Sequence, residues 1–193
     1  MKFTTNLLVA VTLTGALSAA AALEAQDVPE KKRTTLGLYL DARQAHDMLN
    51  REKALFLDVR TRAEVNFLGM PQDADANVPY MVVDGMYAWD DKKEVYKLEP
   101  NSDFVSEVAL RVAEKGLDKH APVILICRSG DRSARAADLL AQAGYTRVYT
   151  VVEGFEGDMA KQGPQAGRRA VNGWKNAGLP WSYKLDKRKM YVR

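Results

Sequence analysis

Residues 124–140 read ILICRSGDRSARAADLL. With Val123 ahead of them, Ile124, Leu125 and Ile126 form a continuous apolar run, the pattern of a short strand covered on both faces. Beyond the loop, Ala136, Ala137, Leu140 and Ala141 fall on one side of a helix and Arg135, Asp138 and Gln142 on the other, with Gly144 as its stop. A strand, a short loop and an amphipathic helix in direct succession are the building unit of a parallel sheet with crossover helices.

The same alternation continues on both sides of this stretch. Asp41 is placed to cap a helix in which Ala42, Ala45, His46 and Leu49 follow three-four spacing, and Ala54–Val59 (ALFLDV) is a short buried strand. Thr61–Leu68 predicts a short helix, and Ala76–Tyr80 (ANVPY) a second short strand closed by Pro79. Ser102 is expected to cap a helix whose apolar face is Phe104, Val105, Val108, Ala109 and Val112, stopped by Gly116. Arg147–Val152 (RVYTVV) supplies the last clear strand. The segment from Met81 to Asn101 has no dominant period and reads as a surface excursion, held to the domain by Met86, Tyr87 and Trp89. The whole predicts an α/β fold, three layers α/β/α around a central parallel sheet, with the domain spanning residues 39–185.

A chain of 193 residues that is 47% apolar has material for one full-sized core. Its net charge of +3 is spread along the chain, and the basic clusters Lys31–Arg33 and Lys187–Lys189 lie outside the periodic region. They are expected to be solvated ends, residues 186–193 forming a basic tail, and they make no nucleic-acid footprint. Residues 1–25 carry Lys2, an uncharged apolar run from Leu7 to Ala22 and small residues near Ala20–Ala25, the pattern of a cleavable secretory signal peptide. The run is short for a bilayer span and broken by Thr, Gly and Ser, so the expectation is a periplasmic or secreted protein with no membrane attachment after cleavage. Residues 26–38 then read as a linker.

Export makes the cysteine content informative, because exported proteins use thiols in pairs as disulfides and this chain has one, Cys127. Such a residue is inert in the core, paired with another molecule, or reactive. Cys127 stands at the carboxyl end of a strand, where an open parallel sheet places its functional crevice. The loop Arg128–Arg132 contains Gly130 and feeds a helix start, so its backbone N–H groups can converge on a negative centre. Arg128, Arg132 and Arg135 add positive charge, and the combination favours thiolate over thiol. The same cradle suits an anionic substrate or a persulfide, whose charge lies one atom further into the ring of amides.

In these features the chain resembles the rhodanese-like domain family, from Asp41 to about Trp181. Leu57-Asp58-Val59-Arg60 followed by Glu64 is similar to the family's first motif, and Asn77-Val78-Pro79 to its next strand. Cys127-Arg128-Ser129-Gly130-Asp131-Arg132-Ser133 resembles its active-site loop CR[ST]GxRS. Gly144-Tyr145, Val148, Glu153-Gly154-Phe155, Trp174 and Gly178-Leu179-Pro180 resemble its closing strand and C-terminal signature. The resemblance implies a sulfurtransferase: Cys127 as the nucleophile that takes sulfane sulfur from a donor such as thiosulfate and passes it to a thiol or cyanide. It further implies that Arg128 and Arg132 attract the small anionic donor, that the amides of Ser129, Gly130, Asp131, Arg132 and Ser133 hold the persulfide, and that no cofactor or metal is used. Export adds an expectation of its own: reducing thiols are scarce outside the cytoplasm, so a periplasmic redox protein is expected as a partner. The chain departs from the family at Gly69–Ala76, where a longer, acidic loop replaces GHIPGA, at Glu153, where a glycine is common, and at Asp131. That carboxylate is expected either to pair with Arg128 or Arg132 or to disfavour the thiolate.

Two other readings compete. A phosphatase or arsenate reductase also holds a cysteine in a loop of amides, but with the spacing C-x5-R, whereas four residues separate Cys127 from Arg132 and Ile126 precedes the cysteine. A noncatalytic module that binds a partner protein is favoured by the long segment with Met86, Tyr87 and Trp89, and disfavoured by the retained cysteine and arginines. His46 and His120 are far apart in sequence and are expected to be structural rather than metal ligands. Asp58 and Arg60 lie at a strand end, placed either for a salt bridge that organises the pocket, which is the expectation, or for direct substrate contact; Trp174 and Trp181 are expected to be packing residues.

Overall fold

The computed structural model describes residues 27–192, so the expected signal peptide lies outside the described residues. In chain order the elements are β1 (Tyr39–Leu40), α1 (Ala42–Arg51), β2 (Leu55–Asp58), α2 (Arg62–Leu68), β3 (Met70–Pro71), β4 (Ala76–Asn77) and β5 (Met81–Val83). There follow β6 (Trp89–Asp90), β7 (Val95–Tyr96), β8 (Leu98–Pro100), α3 (Phe104–Glu114), β9 (Val123–Ile126), α4 (Asp131–Gln142), β10 (Val148–Val151) and β11 (Trp181–Ser182). Five strands form a parallel sheet in the order β1-β10-β9-β2-β4.

β9 lies at the centre of that sheet, which is why its residues are apolar without interruption. Alternation sends Val123, Leu125 and Cys127 to one core, with Phe104, Val108 and Val112 of α3 and Ala136, Ala137 and Leu140 of α4. Ile124 and Ile126 face the other core, with Ala42 and Ala45 of α1, Val65 of α2 and Trp174. The result is the expected three-layer α/β/α arrangement.

Helix starts follow local chemistry. Asp41 with Gln44, and Thr61 with Glu64, form complete capping boxes at α1 and α2. At α3 the expectation fails: Ser102 is exposed and makes no cap, and the cap position is Asp103. The Asn101 side chain accepts the Asp103 N–H (3.1 Å) and its carbonyl the Phe104 N–H (3.1 Å), so the turn is nucleated one residue earlier. Ala109, expected on the apolar face, is exposed, while Glu107 is buried in an ion pair with Arg111 (3.2 Å).

The segment from Met81 to Asn101 forms an arm of two antiparallel pairs, β5 with β8 and β6 with β7. Its aromatic residues do not hold it to the domain as expected. Met86 is 87% exposed and Tyr87 68%, and the rings of Tyr87 and Trp89 pack edge-on against Tyr96 of the same arm. A two-stranded ribbon has no second layer to bury its side chains in, so the rings cover one another.

Of the two basic clusters, Lys31, Arg33, Lys187 and Arg188 are exposed as expected, whereas Lys32 and Lys189 turn back onto the domain. Within the expected linker, Val28 and Lys32 are buried, and Lys32 Nζ donates to the Val152 carbonyl (3.0 Å) and to Asp158 (3.1 Å). In the expected basic tail, Lys189 Nζ donates to the carbonyls of Gln72 and Ala74, and the buried Tyr191 reaches Asn101. These cations find carbonyls that the loops leave without strand partners. His46 packs edge-on against Trp174 and pairs with Asp73 (3.0 Å), and His120 contacts Thr146.

Candidate active site

β9 delivers Cys127 to the sheet's carboxyl edge, where two hydrogen bonds fix the chain that follows. The Cys127 carbonyl accepts the Phe155 N–H (2.8 Å) and the Arg128 carbonyl the Glu156 N–H (3.0 Å). Gly130 is the cap residue of α4, left-handed at φ 96°, and turns the chain back over the thiol. Its N–H donates to Cys127 Sγ (3.1 Å), and Sγ lies 3.5 Å from Ser133 Oγ, which itself donates to the Gly130 carbonyl (3.0 Å). The first-turn N–H groups of α4, from Asp131 onward, have no partners within the helix and carry the positive end of its dipole. Cys127 is 1% exposed, so the sulfur sits at the floor of the loop.

The glycine is dictated by space as well as by φ. A Cβ on Gly130 would run into the Val152 carbonyl and approach Lys32 Cδ at 3.0 Å. Gly130→Ala is therefore expected to cost about 2 kcal/mol or more through a strained φ and displaced neighbours. A chemical-denaturation midpoint equal to wild type would refute that.

The charged residues of the loop are compensated one by one. Arg132 donates to both oxygens of Glu64 (2.7 and 2.5 Å), and Arg128 Nε to Glu156 (2.7 Å). Asp131 pairs with neither arginine: its partner is Lys31 (3.0 Å), delivered by the segment expected to be a linker. Arg135 is exposed and its Nε meets the Asp131 carbonyl at 3.4 Å. All seven residues Cys127–Ser133 thus lie in one loop and helix start, with Cys127 and Ser133 buried and Arg128 the outermost of the paired arginines.

Burial raises the Glu64 pKa, but the Arg132 hydrogen bonds and charge, aided by the Thr61 bonds, outweigh it and hold the carboxyl at about 2. Burial likewise lowers the Arg132 pKa, and Glu64, with Cys127 and Asp58 behind it, raises it above the ordinary value. Because the folded value of Glu64 lies below its ordinary 4.5, its stabilisation is present above pH 4.5 and is lost as pH falls towards 2. Glu64→Gln is expected to remove about 3 kcal/mol at neutral pH, with the gap to wild type closing between pH 4.5 and 2. Urea titrations at neutral and acid pH measure this, and a gap that does not depend on pH would count against the pair.

The residues that complete the site had little local signal. Glu156 meets an arginine 28 positions earlier, and Lys31 an aspartate 100 positions later. Glu64 alone had a signal in the sequence, as the acidic residue that follows Leu57–Arg60 in the resemblance to the family's first motif. Opposite the loop, the arm closes a cavity of about 460 Å³ with Met81, Val95, Tyr96, Lys97 and Leu98, so the excursion forms the site's second wall.

Comparison with known proteins agrees with this geometry. Residues 41–161 match the model of the rhodanese-like domain. An uncharacterized protein of Rickettsia conorii is 32% identical over 143 residues, covering 72% of this chain and 93% of that protein. Another, from Rickettsia prowazekii, is 30% identical over 141 residues with the same coverage. Among solved structures, Rv0390 from M. tuberculosis is 30% identical and superposes with a TM-score of 0.56, over 76% of this chain and 97% of that one. The match over residues 41–161 takes in β2, β4, β9 and β10 of the sheet and the loop that holds Cys127 under Gly130, and the chain belongs to the rhodanese-like domain family.

Proposed function

We propose that the protein is a sulfurtransferase, moving sulfane sulfur from thiosulfate or a similar anionic donor to a thiophilic acceptor through a persulfide on Cys127. The observation that carries this reading is the Gly130 N–H aimed at Cys127 Sγ from a helix start, inside a cavity bordered by Arg128 and Arg132. In the first half-reaction the thiolate attacks the outer sulfur of thiosulfate; the new S–S bond forms as the old one breaks, and sulfite leaves with the electron pair. The negative charge moves one atom outward, to where the α4 amides from Asp131 to Ser133 can receive it. Cyanide or a thiolate then attacks the outer sulfur and regenerates the Cys127 thiolate. Arg128, which is half exposed, is the donor-facing cation, while Arg132, locked to Glu64, positions the helix start.

The exposed rings of Tyr87 and Trp89 favour a second reading, a module that engages a partner protein, such as a redox protein of the periplasm. The two separate in one experiment. After incubation with thiosulfate, the intact protein is expected to gain the mass of one sulfur atom at Cys127 and to lose it to cyanide as thiocyanate. A mass unchanged by thiosulfate, mercaptopyruvate and polysulfide would overturn the sulfurtransferase reading and favour the binding module.

A further inference from the structure

Two carboxylates line the cavity over Cys127, Asp90 of the arm and Asp131 of α4. Asp90 is answered by Lys93 (3.4 Å). Asp131 stands in the first turn of α4, where a carboxylate takes up the positive helix end that an anionic donor, and the persulfide after it, must use. The loop arginines do not answer it, since Arg128 is engaged by Glu156 and Arg132 by Glu64, and Arg135 meets only its backbone carbonyl. Asp131 Oδ1 is buried and accepts no hydrogen bond, and among the described residues the one cation paired with the carboxylate is Lys31 (3.0 Å).

Lys31 arrives on a strap that precedes the residues matched to the family, 41–161. Val28 clusters with Tyr39 and Val152, a single 3-10 turn spans Glu30–Lys32, and the Thr35 N–H donates to Asp138 of α4 (2.7 Å). The turn sends consecutive lysines opposite ways: Lys31 is 69% exposed and Lys32 4%. Lys32 Nζ holds the Val152 carbonyl (3.0 Å) and Asp158 (3.1 Å). Its stem and that carbonyl are the groups that leave no room for a Cβ on Gly130, so together they wall in the residue whose N–H reaches Cys127 Sγ.

We propose that this strap is a working part of the sulfur-transfer site, with Lys31 and Lys32 as positioning residues. Lys31 cancels the charge of Asp131 towards the anionic donor and the outward-moving persulfide charge, and Lys32 holds the Gly130 N–H on the sulfur. Neither lysine touches the reacting atoms; each acts through the loop residue it grips. This rests on the persulfide reading of Cys127 and leaves its balance unchanged, thiosulfate giving up its outer sulfur and sulfite leaving with the electron pair.

The test is single-turnover loading of Cys127 from thiosulfate, followed by quenched intact mass over a range of donor and salt concentrations. Lys31→Met, at an exposed position, is expected to slow loading at subsaturating donor about threefold, the scale of one exposed ion pair. The deficit is expected to shrink at high salt and to vanish in the Asp131→Asn background, where no charge is left to cancel. Lys32→Met keeps the stem over Gly130 and loses both hydrogen bonds. Its limiting rate is expected to fall about tenfold at an unchanged half-saturating concentration, because the donor is still attracted and only the partner of the sulfur is displaced. A strap that merely stabilises the fold would reduce the fraction of chains that load and not the rate of those that do. A loss confined to that fraction, a Lys31→Met deficit that persists in the Asp131→Asn background, or a Lys32→Met limiting rate equal to wild type overturns the inference while wild type still loads. A wild type that loads from neither thiosulfate nor polysulfide overturns the persulfide reading itself.

Discussion

Cys127→Ala is expected to abolish sulfur uptake and to lower thiosulfate-to-cyanide turnover by at least about 1,000-fold, as removal of a covalent nucleophile does elsewhere. The chain has no second cysteine to substitute for it. Two causes other than chemistry must be separated. Cys127 is buried in the core shared with Leu125 and Val59, so truncation leaves a small void and costs about 1–2 kcal/mol. A denaturation midpoint measured on the same sample reports that cost. Cys127→Ser is the sharper variant, because its oxygen still accepts the Gly130 N–H and fills most of the space, yet cannot form a persulfide. Its turnover is expected to fall as far as that of Cys127→Ala with a smaller loss of stability. Turnover retained by Cys127→Ser would mean that sulfur never passes through residue 127.

Such a prediction is available because the loop is locally encoded. The run Val123–Ile126 belongs to a central strand, and a strand covered on both faces has no polar positions to confuse its reading. Gly130 is needed by its φ, and α1 and α2 begin at capping boxes written within four residues. What could not be read depends on chain segments distant in sequence. Lys31 and Lys32 look like any basic linker until the segment folds back onto Asp131 and Val152. The arm hides for a different reason: its strands are two or three residues long and pair only with each other, so no burial period is imposed on them. Its role as a cavity wall follows from where β5 and β8 leave the domain, which no spacing records. The start of α3 was misplaced because Asn101, not Ser102, organises the turn, and both residue types are good caps.

Arg60 presents the opposite case, a residue legible in sequence whose weight emerges only in the fold. Arg60→Met is expected to destabilise the protein by about 3–5 kcal/mol. Arg60 and Asp58 are both fully buried, and the guanidinium donates to both carboxylate oxygens (Nε to Oδ1 2.9 Å, Nη2 to Oδ2 2.5 Å) and to the Gly69 carbonyl (2.7 Å). It also lies 4.0 Å from the centroid of the Phe155 ring. Methionine replaces the volume but strands the Asp58 carboxylate without its cation, and it is this uncompensated charge, more than the lost bonds, that sets the cost. The double variant Asp58→Asn/Arg60→Met should therefore recover part of the loss, and a double-mutant cycle by urea denaturation isolates the coupling. An Arg60→Met protein within 1 kcal/mol of wild type, or a double variant no better than the sum of its parts, would show that the pair is not what holds this corner. The consequence reaches the cysteine by two routes. Asp58 pairs in register with Ile126, the residue before Cys127, and Phe155 under the guanidinium donates its N–H to the Cys127 carbonyl. Sulfur loading in Arg60→Met is accordingly expected to slow even at temperatures where the variant remains folded, because the strand end and the turn that present Sγ have both lost their common support.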